Sequence, residues 1–450
     1  MCGIAGYYGQ GDKEILKKMT RTLRHRGPDD EGFFVDNRVG LGQRRLSVID
    51  LSPLGHQPMT NEDESLWISF NGEIYNYKKL RKLLKNSHKF KSSTDTEVIL
   101  HLYEEMGEEV FSELEGMFAI SLYDKNKDIM FLARDRMGKK PLYYAQYGED
   151  LIFASELKAL HQHPKFEKKI SKLALKSYLF HEYIPTPLSI FENVYKLEPA
   201  TYLKIKDSKI SKNKFWEISF NRGRIENLSM DKAVHKIGTA IEESVKDRLV
   251  SDAPLGVLLS GGLDSSAILY YAQKNSQKKI KTFSIGFKES SFDESKYARV
   301  VARHLGSEHY EKIFEASDSL GMIDKLGDVL DEPMADQSVL RTYLLSKFTR
   351  ENVTVALGGD GGDEVFAGYD TFVAHRLAGF YEKIPRQFRK KFIEKVMLNL
   401  PTSFSNISLD FKIKSFIKGF DGEKKYRDAR WMSSFDLQKD DSVFAEEIRE

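Results

Sequence analysis

The sequence predicts two fold classes in one chain: an α+β first half and a doubly wound parallel α/β second half. Three observations lead there. Short alternations of apolar and polar residues dominate from residue 2 to about 160, with helical stretches between them but no regular strand–helix alternation. From Met230 onward, strands and helices alternate. Two glycine-rich turns, Ser260-Gly261-Gly262 and Gly358-Gly359-Asp360-Gly361-Gly362, each close an apolar run of strand length. Ligands of doubly wound sheets sit at such strand ends.

In the first half, Leu66, Ile68 and Phe70 alternate with Trp67 and Ser69 before Asn71-Gly72-Glu73. Phe118, Ile120 and Leu122 run into a turn at Asp124–Lys127, and Ile129, Phe131 and Ala133 run back, which predicts a hairpin. A second hairpin is predicted from Leu142 and Tyr144 through Gly148-Glu149-Asp150 to Leu151 and Phe153. Helices are predicted over Glu14–Leu23 and from the capping box Thr94-Asp95-Thr96-Glu97 onward. The lysine-rich Ile205–Trp216 reads as an edge hairpin.

In the second half a helix is predicted over Asp231–Leu249, then a strand over Leu255–Leu259 and a helix from Ser266. A second strand over Ile280–Phe287, a helix near Glu294–Leu305 and a third strand over Val353–Leu357 follow. The remainder reads as helical, with Arg386–Lys395 a solvated amphipathic helix.

At 450 residues the chain exceeds the size at which one core keeps growing, so a division into 1–210 and 211–450 is expected. Lysine plus arginine (69) nearly cancels aspartate plus glutamate (67). The net charge of +2 gives no reason to expect a nucleic acid or an anionic membrane as partner. No apolar run approaches the ~20 residues of a membrane span, and no signal-type apolar region opens the chain, so a cytoplasmic setting is expected.

Ser260–Ser266 carries the chemistry of the second half. Gly261 and Gly262 let backbone approach an anion, a helix start faces it, and three hydroxyls (Ser260, Ser265, Ser266) can donate to it. Asp264 offers an oxygen ligand for magnesium. The loop lacks the lysine of the common nucleoside-triphosphate loop, so pyrophosphate fits better than a γ-phosphate. A ligand-free Gly-Gly turn is the alternative. In the first half the single cysteine, Cys2, follows Met1 directly. With Met1 removed, its own α-amine, of pKa about 7.7–8.0, is a built-in base. An incidental small residue is the alternative there. His161 and His163 lie close in sequence, but nothing else suggests a metal site.

Five motifs occur in order: Met1-Cys2-Gly3-Ile4-Ala5-Gly6, Arg24-His25-Arg26-Gly27-Pro28-Asp29, Arg45-Leu46-Ser47, Asn71-Gly72-Glu73-Ile74-Tyr75-Asn76 and Ser93-Thr94-Asp95-Thr96-Glu97-Val98. Together they resemble the class II glutamine amidotransferase domain, an N-terminal-nucleophile fold with two stacked sheets between helices (αββα). The resemblance implies that Cys2 attacks the side-chain amide of glutamine, releasing ammonia and leaving a thioester. It implies Asn71 and Gly72 as oxyanion donors, Arg45 as partner of the α-carboxylate, and Glu73 and Asp95 as acceptors from the α-ammonium. His25 is given no chemical role.

Adding the two glycine-rich turns, the whole is similar to the glutamine-hydrolysing asparagine synthetase family from Cys2 to about Phe435. That resemblance implies a pyrophosphate-loop ATPase domain in which ATP adenylates a carboxylate and ammonia then displaces AMP. Ser260, Gly261, Gly262, Asp264, Ser265 and Ser266 would hold the pyrophosphate, and Asp264 and Asp363 a Mg2+ ion. Leu258, Ile285, Gly358 and Gly359 would border the nucleotide, and Asp360 would lie near the acyl adenylate as a catalytic residue. Arg134–Tyr144 also matches and is read as structural. The implied partners are glutamine, ATP and aspartate or another carboxylate; a homodimer is left open.

Two features depart from the pattern. Asp360 stands where a glutamate is common in the family, and some members amidate other carboxylates, including uronic acids of surface polysaccharides. Asp331–Ser338 is expected to border the acceptor. Family members also usually continue beyond the equivalent of Glu450, in a segment that supplies a lysine for the ammonia step, so a C-terminally short synthetase half is expected. Asparagine formation, amidation of a sugar acid, and a glutaminase or partner subunit with an incomplete synthetase half are the three expectations.

Overall fold

The computed structural model describes residues 1–85, 88–219, 228–288, 293–403, 408–420, 423–433 and 435. The chain packs as two compact units. The first holds Met1–Ala174, Ile184–Pro254 and Gly327–Pro333; the second holds Leu175–Tyr183, Leu255–Leu326 and Met334–Glu450. The division expected at residue 210 falls inside the hairpin of β11 (Thr201–Lys206) and β12 (Lys209–Lys214), whose pairing continues to Thr201 opposite Lys214.

Two six-stranded sheets build the first unit. In one, β1 (Gly3–Tyr8) runs antiparallel between β3 (Val39–Arg45) and β9 (Asp150–Ala154), with β2 (Asp30–Asp36), β8 (Tyr143–Tyr147) and β10 (Val194–Lys196) completing it. In the other, β5 (Leu66–Ile74) pairs with β6 (Gly116–Asp124), β6 with β7 (Ile129–Arg134), and β7 with β11; β4 (Met59–Thr60) lies at the edge. The two predicted hairpins are β6–β7 and β8–β9.

Period two assigns the faces of β5. Ile68, Phe70 and Ile74 join the core formed with Val98, Leu102 and Phe111, on the side of helix α3 (Asp95–Met106). Trp67 belongs to the core between the sheets, with Ile4, Tyr8, Leu41 and Leu132. Asn71 and Glu73 share the Trp67 face and so point between the sheets. Helix α1 (Lys13–Arg21), capped by Asp12, buries Leu16 and Met19 on the opposite outer face. The layers are therefore helix, sheet, sheet, helix, and each fully buried aliphatic side chain contributes about 1.5–3 kcal/mol. Asn71-Gly72-Glu73 continues β5 instead of closing it, because those residues pair in register with Ala119, Phe118 and Met117.

In the second unit a four-stranded parallel sheet has the order β15–β14–β13–β16. The strands are β13 (Leu255–Leu258), β14 (Lys281–Phe287), β15 (Glu308–Phe314) and β16 (Val355–Leu357). β15, polar along most of its length, has no counterpart among the predicted strands. From β13 the chain goes to β14 on one side, and β16 returns on the other, so the sheet switches direction between β13 and β16. Arg386–Lys395 is broken into short helical turns, with Phe388 and Phe392 exposed.

Candidate active sites

Cys2 lies immediately before β1. Leu46 N–H donates to its Sγ at 3.3 Å, and Arg26 Nε donates to the Cys2 carbonyl at 2.9 Å. Arg26 Nη1 in turn reaches Glu156 Oε1 at 2.8 Å, and His25 Nε2 lies 3.0 Å from the same oxygen. The Cys2 backbone is thus held by an arginine–glutamate clamp, with His25 on the same carboxylate. Burial pushes the Cys2 thiol up; the Leu46 N–H, the N-terminal ammonium, Lys140 and Arg45 oppose it. A thiol held neutral by burial needs a base at hand.

On the inward face of β5, Asn71 is buried, and neither its Oδ1 nor its Nδ2 has a partner among the described residues. An unpaired buried amide costs on the order of 1–3 kcal/mol and is a group waiting for a ligand. Gly72 is tightly backed, since a Cβ there would stand 2.2 Å from Met117 O. Burial also raises the pKa of Glu73, against which Lys140 and the N-terminal ammonium hold its charge.

Asp95 opens α3, where Thr94 Oγ1 accepts from Glu97 N at 3.3 Å. The capping box is only half made: the Glu97 carboxylate accepts from Lys91 N and Ser92 N, both at 2.7 Å. Asp95 Oδ2 accepts from Ile74 N at 2.8 Å, yet its pKa is raised to about 7 by burial, with Glu73 adding to the rise. A carboxylate whose ionisation is opposed by burial and by a neighbouring carboxylate favours a cation beside it. Arg45 donates to the carbonyls of Ser52 and Ile49 at 2.9 and 3.4 Å, and to that of Asp50. No carboxylate lies within ion-pair distance of it among the described residues, so its charge is left for a ligand.

Sequence reasoning missed Lys140. It is buried, and burial lowers its pKa, with Glu73 opposing the fall. Its segment folds around Asp135, whose carboxylate accepts from the backbone N–H groups of Phe118, Met137, Lys139 and Lys140. The stretch Arg134–Tyr144 is therefore structural and also delivers a cation. Asp331 accepts from Leu157 N and Lys158 N, and Glu332 pairs with Lys196, all within the first unit.

In the second unit the two glycine-rich turns meet at the direction switch. Gly261 has φ +84°, and a Cβ there would stand 2.5 Å from Ala298 N, so only glycine fits. Ser260 and Ser265 hydroxyls lie 3.0 Å apart, Gly262 N donates to Ser260 Oγ at 3.2 Å, and Ser266 Oγ donates to Gly262 O at 2.7 Å. The helix Leu263–Lys274 starts there, directing its first N–H groups at the loop. The Asp264 carboxylate lies against Gly362, where a Cβ would stand 2.5 Å from Cγ, and Gly359 packs on Ser265 N. Asp363 opens the next helical turn, Gly362–Phe366, and faces Gly368. Asp360 Oδ2 folds back toward Gly358. Leu258 ends β13, whereas Ile285 packs against Phe314, Met322 and Leu344. The carboxylates of Asp264 and Asp363, on the glycine turns beside this loop, are of the hard-oxygen type that would suit a Mg2+ ion.

Fold and sites together define a class: an N-terminal-nucleophile amidotransferase unit joined to a glycine-loop synthetase unit. Residues 1–216 match the model of the glutamine amidotransferase domain, and residues 236–439 that of asparagine synthase. A Methanocaldococcus jannaschii relative assigned to the glutamine-hydrolysing asparagine synthetases is 39% identical over 86% of this chain and 79% of its own. Asparagine synthetase 1 of Bacillus subtilis is 37% identical over 87% of this chain and 62% of its own, and asparagine synthetase B of Escherichia coli 33% identical over 82% and 65%. The chain belongs to the glutamine-hydrolysing asparagine synthetase family. It spans less than two thirds of the length of the B. subtilis and E. coli relatives.

Proposed function

We propose that the chain is a glutamine-dependent amidotransferase that forms asparagine from aspartate, with residues 1–210 as the glutaminase half and 211–450 as the ATP-using half. The observation that carries the first half is the buried Asn71 amide, without a hydrogen-bond partner among the described residues, on the strand face that points between the two sheets. In this reading the Cys2 α-amine, freed by removal of Met1, takes the thiol proton. The thiolate attacks the glutamine carboxamide carbon, and Asn71 Nδ2 and Gly72 N–H receive the oxyanion. The tetrahedral adduct expels ammonia, and water then cleaves the thioester to release glutamate. Arg45 pairs with the substrate carboxylate, and Glu73 and Asp95 with its ammonium.

In the second half the acceptor carboxylate attacks the α-phosphorus of ATP. The departing pyrophosphate is received by Ser260, Gly261, Gly262, Ser265, Ser266 and the helix N-terminus. Ammonia then attacks the acyl carbon and AMP leaves. Asp264 and Asp363 would hold a Mg2+ ion, which supplies charge neutralisation to the phosphates. Leu258, Gly358 and Gly359 border the nucleotide in this reading, and Asp360 lies near the acyl adenylate. ATP, glutamine and aspartate are cytoplasmic metabolites, which supports a cytoplasmic setting; a homodimer is tested by light scattering.

The test is pyrophosphate release from ATP with aspartate and, separately, with a panel of uronic acids. Release with aspartate alone is expected. Release with a uronic acid alone transfers the same machinery to a sugar acid, and intact glutaminase without release from any acceptor makes the chain a glutaminase or partner subunit.

A further inference from the structure

Away from both sites, on the far turn of α3, four side chains turn one ligand atom each toward a common centre. They are Glu62, His88, His101 and Glu104, whose donor atoms all lie within 4.8 Å of one another. His101 Nδ1 is 2.7 Å from Glu104 Oε2 and 3.7 Å from Glu62 Oε2, and His88 Nδ1 is 3.5 Å from Glu104 Oε2. Donors bound at about 2.0–2.1 Å around one tetrahedral ion stand ~3.3 Å apart, so small adjustments suffice.

The surroundings hold each donor toward the centre. Glu104 uses Oε1 to accept from Asn61 Nδ2 at 2.9 Å, and Glu62 uses Oε1 to accept from Lys89 N at 2.8 Å. Both leave Oε2 facing inward. His88 spends its other nitrogen, Nε2, on Glu105 Oε1 at 3.0 Å, and Glu105 is fixed by Lys85 N. The Nε2 of His101, a side chain only 1% exposed, has no hydrogen-bond partner and faces Glu97 Oε1 at 3.9 Å. A carboxylate behind each imidazole is the arrangement that fixes tautomer and orientation in histidine–metal centres. Charge points the same way: four carboxylates (Glu62, Glu97, Glu104, Glu105) surround two imidazoles, leaving an excess of negative charge even with both rings protonated. The rings pack 4.4 Å apart, with Phe90 edge-on to His101 at 4.7 Å.

We propose that Glu62, His88, His101 and Glu104 form a binding site for a divalent cation of the zinc class. Two imidazoles and two carboxylates suit Zn2+ or Co2+ over Mg2+ or Ca2+, which prefer all-oxygen sets. The four ligands join the turn after β4, the segment entering at His88, and α3. That segment runs on through Ser92 and Thr94 to Asp95, so the ion is a structural staple at one end of the helix whose other end carries Asp95.

The experiment uses the full chain and a Glu62→Gln/His88→Gln variant, both partly exposed positions that can be changed without opening the core. Each is dialysed free of metal and titrated with Zn2+ by calorimetry and with Co2+ by absorption. Cys2 and Asp264 are common to both proteins, so cations held there cancel in the difference. The unaltered chain is expected to bind one more equivalent than the variant, to show tetrahedral Co2+ d–d bands that the variant lacks, and to gain a Tm increase that grows with zinc concentration. Retained binding in the variant should be weaker by about tenfold or more. Equal stoichiometry and equal spectra in the two folded proteins would overturn the proposal, as would an increase in Tm of the same size in both.

Discussion

Asp95 illustrates at the scale of one residue how binding and stability oppose each other. Its folded pKa of about 7 lies far above the value of a free aspartate, because burial and Glu73 disfavour the ionised form. Between those two values the folded state binds more protons than the unfolded one, so this group removes stability as pH rises toward 7. Asp95→Asn keeps an oxygen for Ile74 N and should stabilise the protein at pH 8 by roughly 2–4 kcal/mol while changing little at pH 4, read from denaturant midpoints. The same variant should raise the KM for glutamine tenfold or more, since a charge-assisted bond of about 1.5–3 kcal/mol is lost. In the unaltered enzyme, glutaminase kcat/KM should climb with pH through about 7 as the carboxylate ionises. A flat profile together with an unchanged KM in the variant would remove Asp95 from the ammonium site. None of this could be read from the motif, which supplies the residue but not its burial.

At the scale of elements, the Ser260–Ser266 loop depends on one backbone conformation. Gly261→Ala places a Cβ at φ +84° and against Ala298 N, so pyrophosphate release should fall to background while the helix Leu263–Lys274 shifts to relieve the clash. Glutaminase measured on the same sample should persist, and loss of both would mean the variant is simply unfolded. Thr94→Ala removes the α3 cap and should cost about 1 kcal/mol, seen as a lower Tm. Most elements were legible because their signals are local: period two in β6 and β7, the turn at Gly148, the helix spacing in α1. β15 was not, because Glu308-His309-Tyr310-Glu311-Lys312 lacks an apolar run and becomes a strand only by pairing with β14. The apolar alternation of β5 is followed in the sequence only as far as Phe70, yet the strand runs on through Asn71–Glu73, because nine residues of register with β6 carry it to Ile74.

At the scale of the whole molecule the prediction is a division of labour. Cys2→Ala should abolish glutamine-dependent product and leave ammonia-dependent product intact. Asp264→Ala should remove pyrophosphate release and spare glutaminase. Either variant losing both activities while folded, as judged by circular dichroism and Tm, would refute two separable chemistries.

By itself the sequence determined the family and the fold class of each half. Cys2, Asn71-Gly72-Glu73, Asp95 and the Ser260–Ser266 loop are local patterns whose residue types have few other uses together; the α+β and parallel-sheet classes follow from periodicity, and the αββα layering from the resemblance those patterns carry. Tertiary structure alone decided what surrounds them. The Arg26–Glu156 clamp on Cys2 joins residues 130 positions apart, Lys140 enters beside Cys2 from a segment that reads as a scaffold, and Asp331 and Glu332 meet partners in the first unit. His88 and His101 come together with Glu62 only when α3 packs against the turn after β4. The physical reason is common to all four: burial and charge pairing depend on which distant segments meet, and chain periodicity carries no record of that.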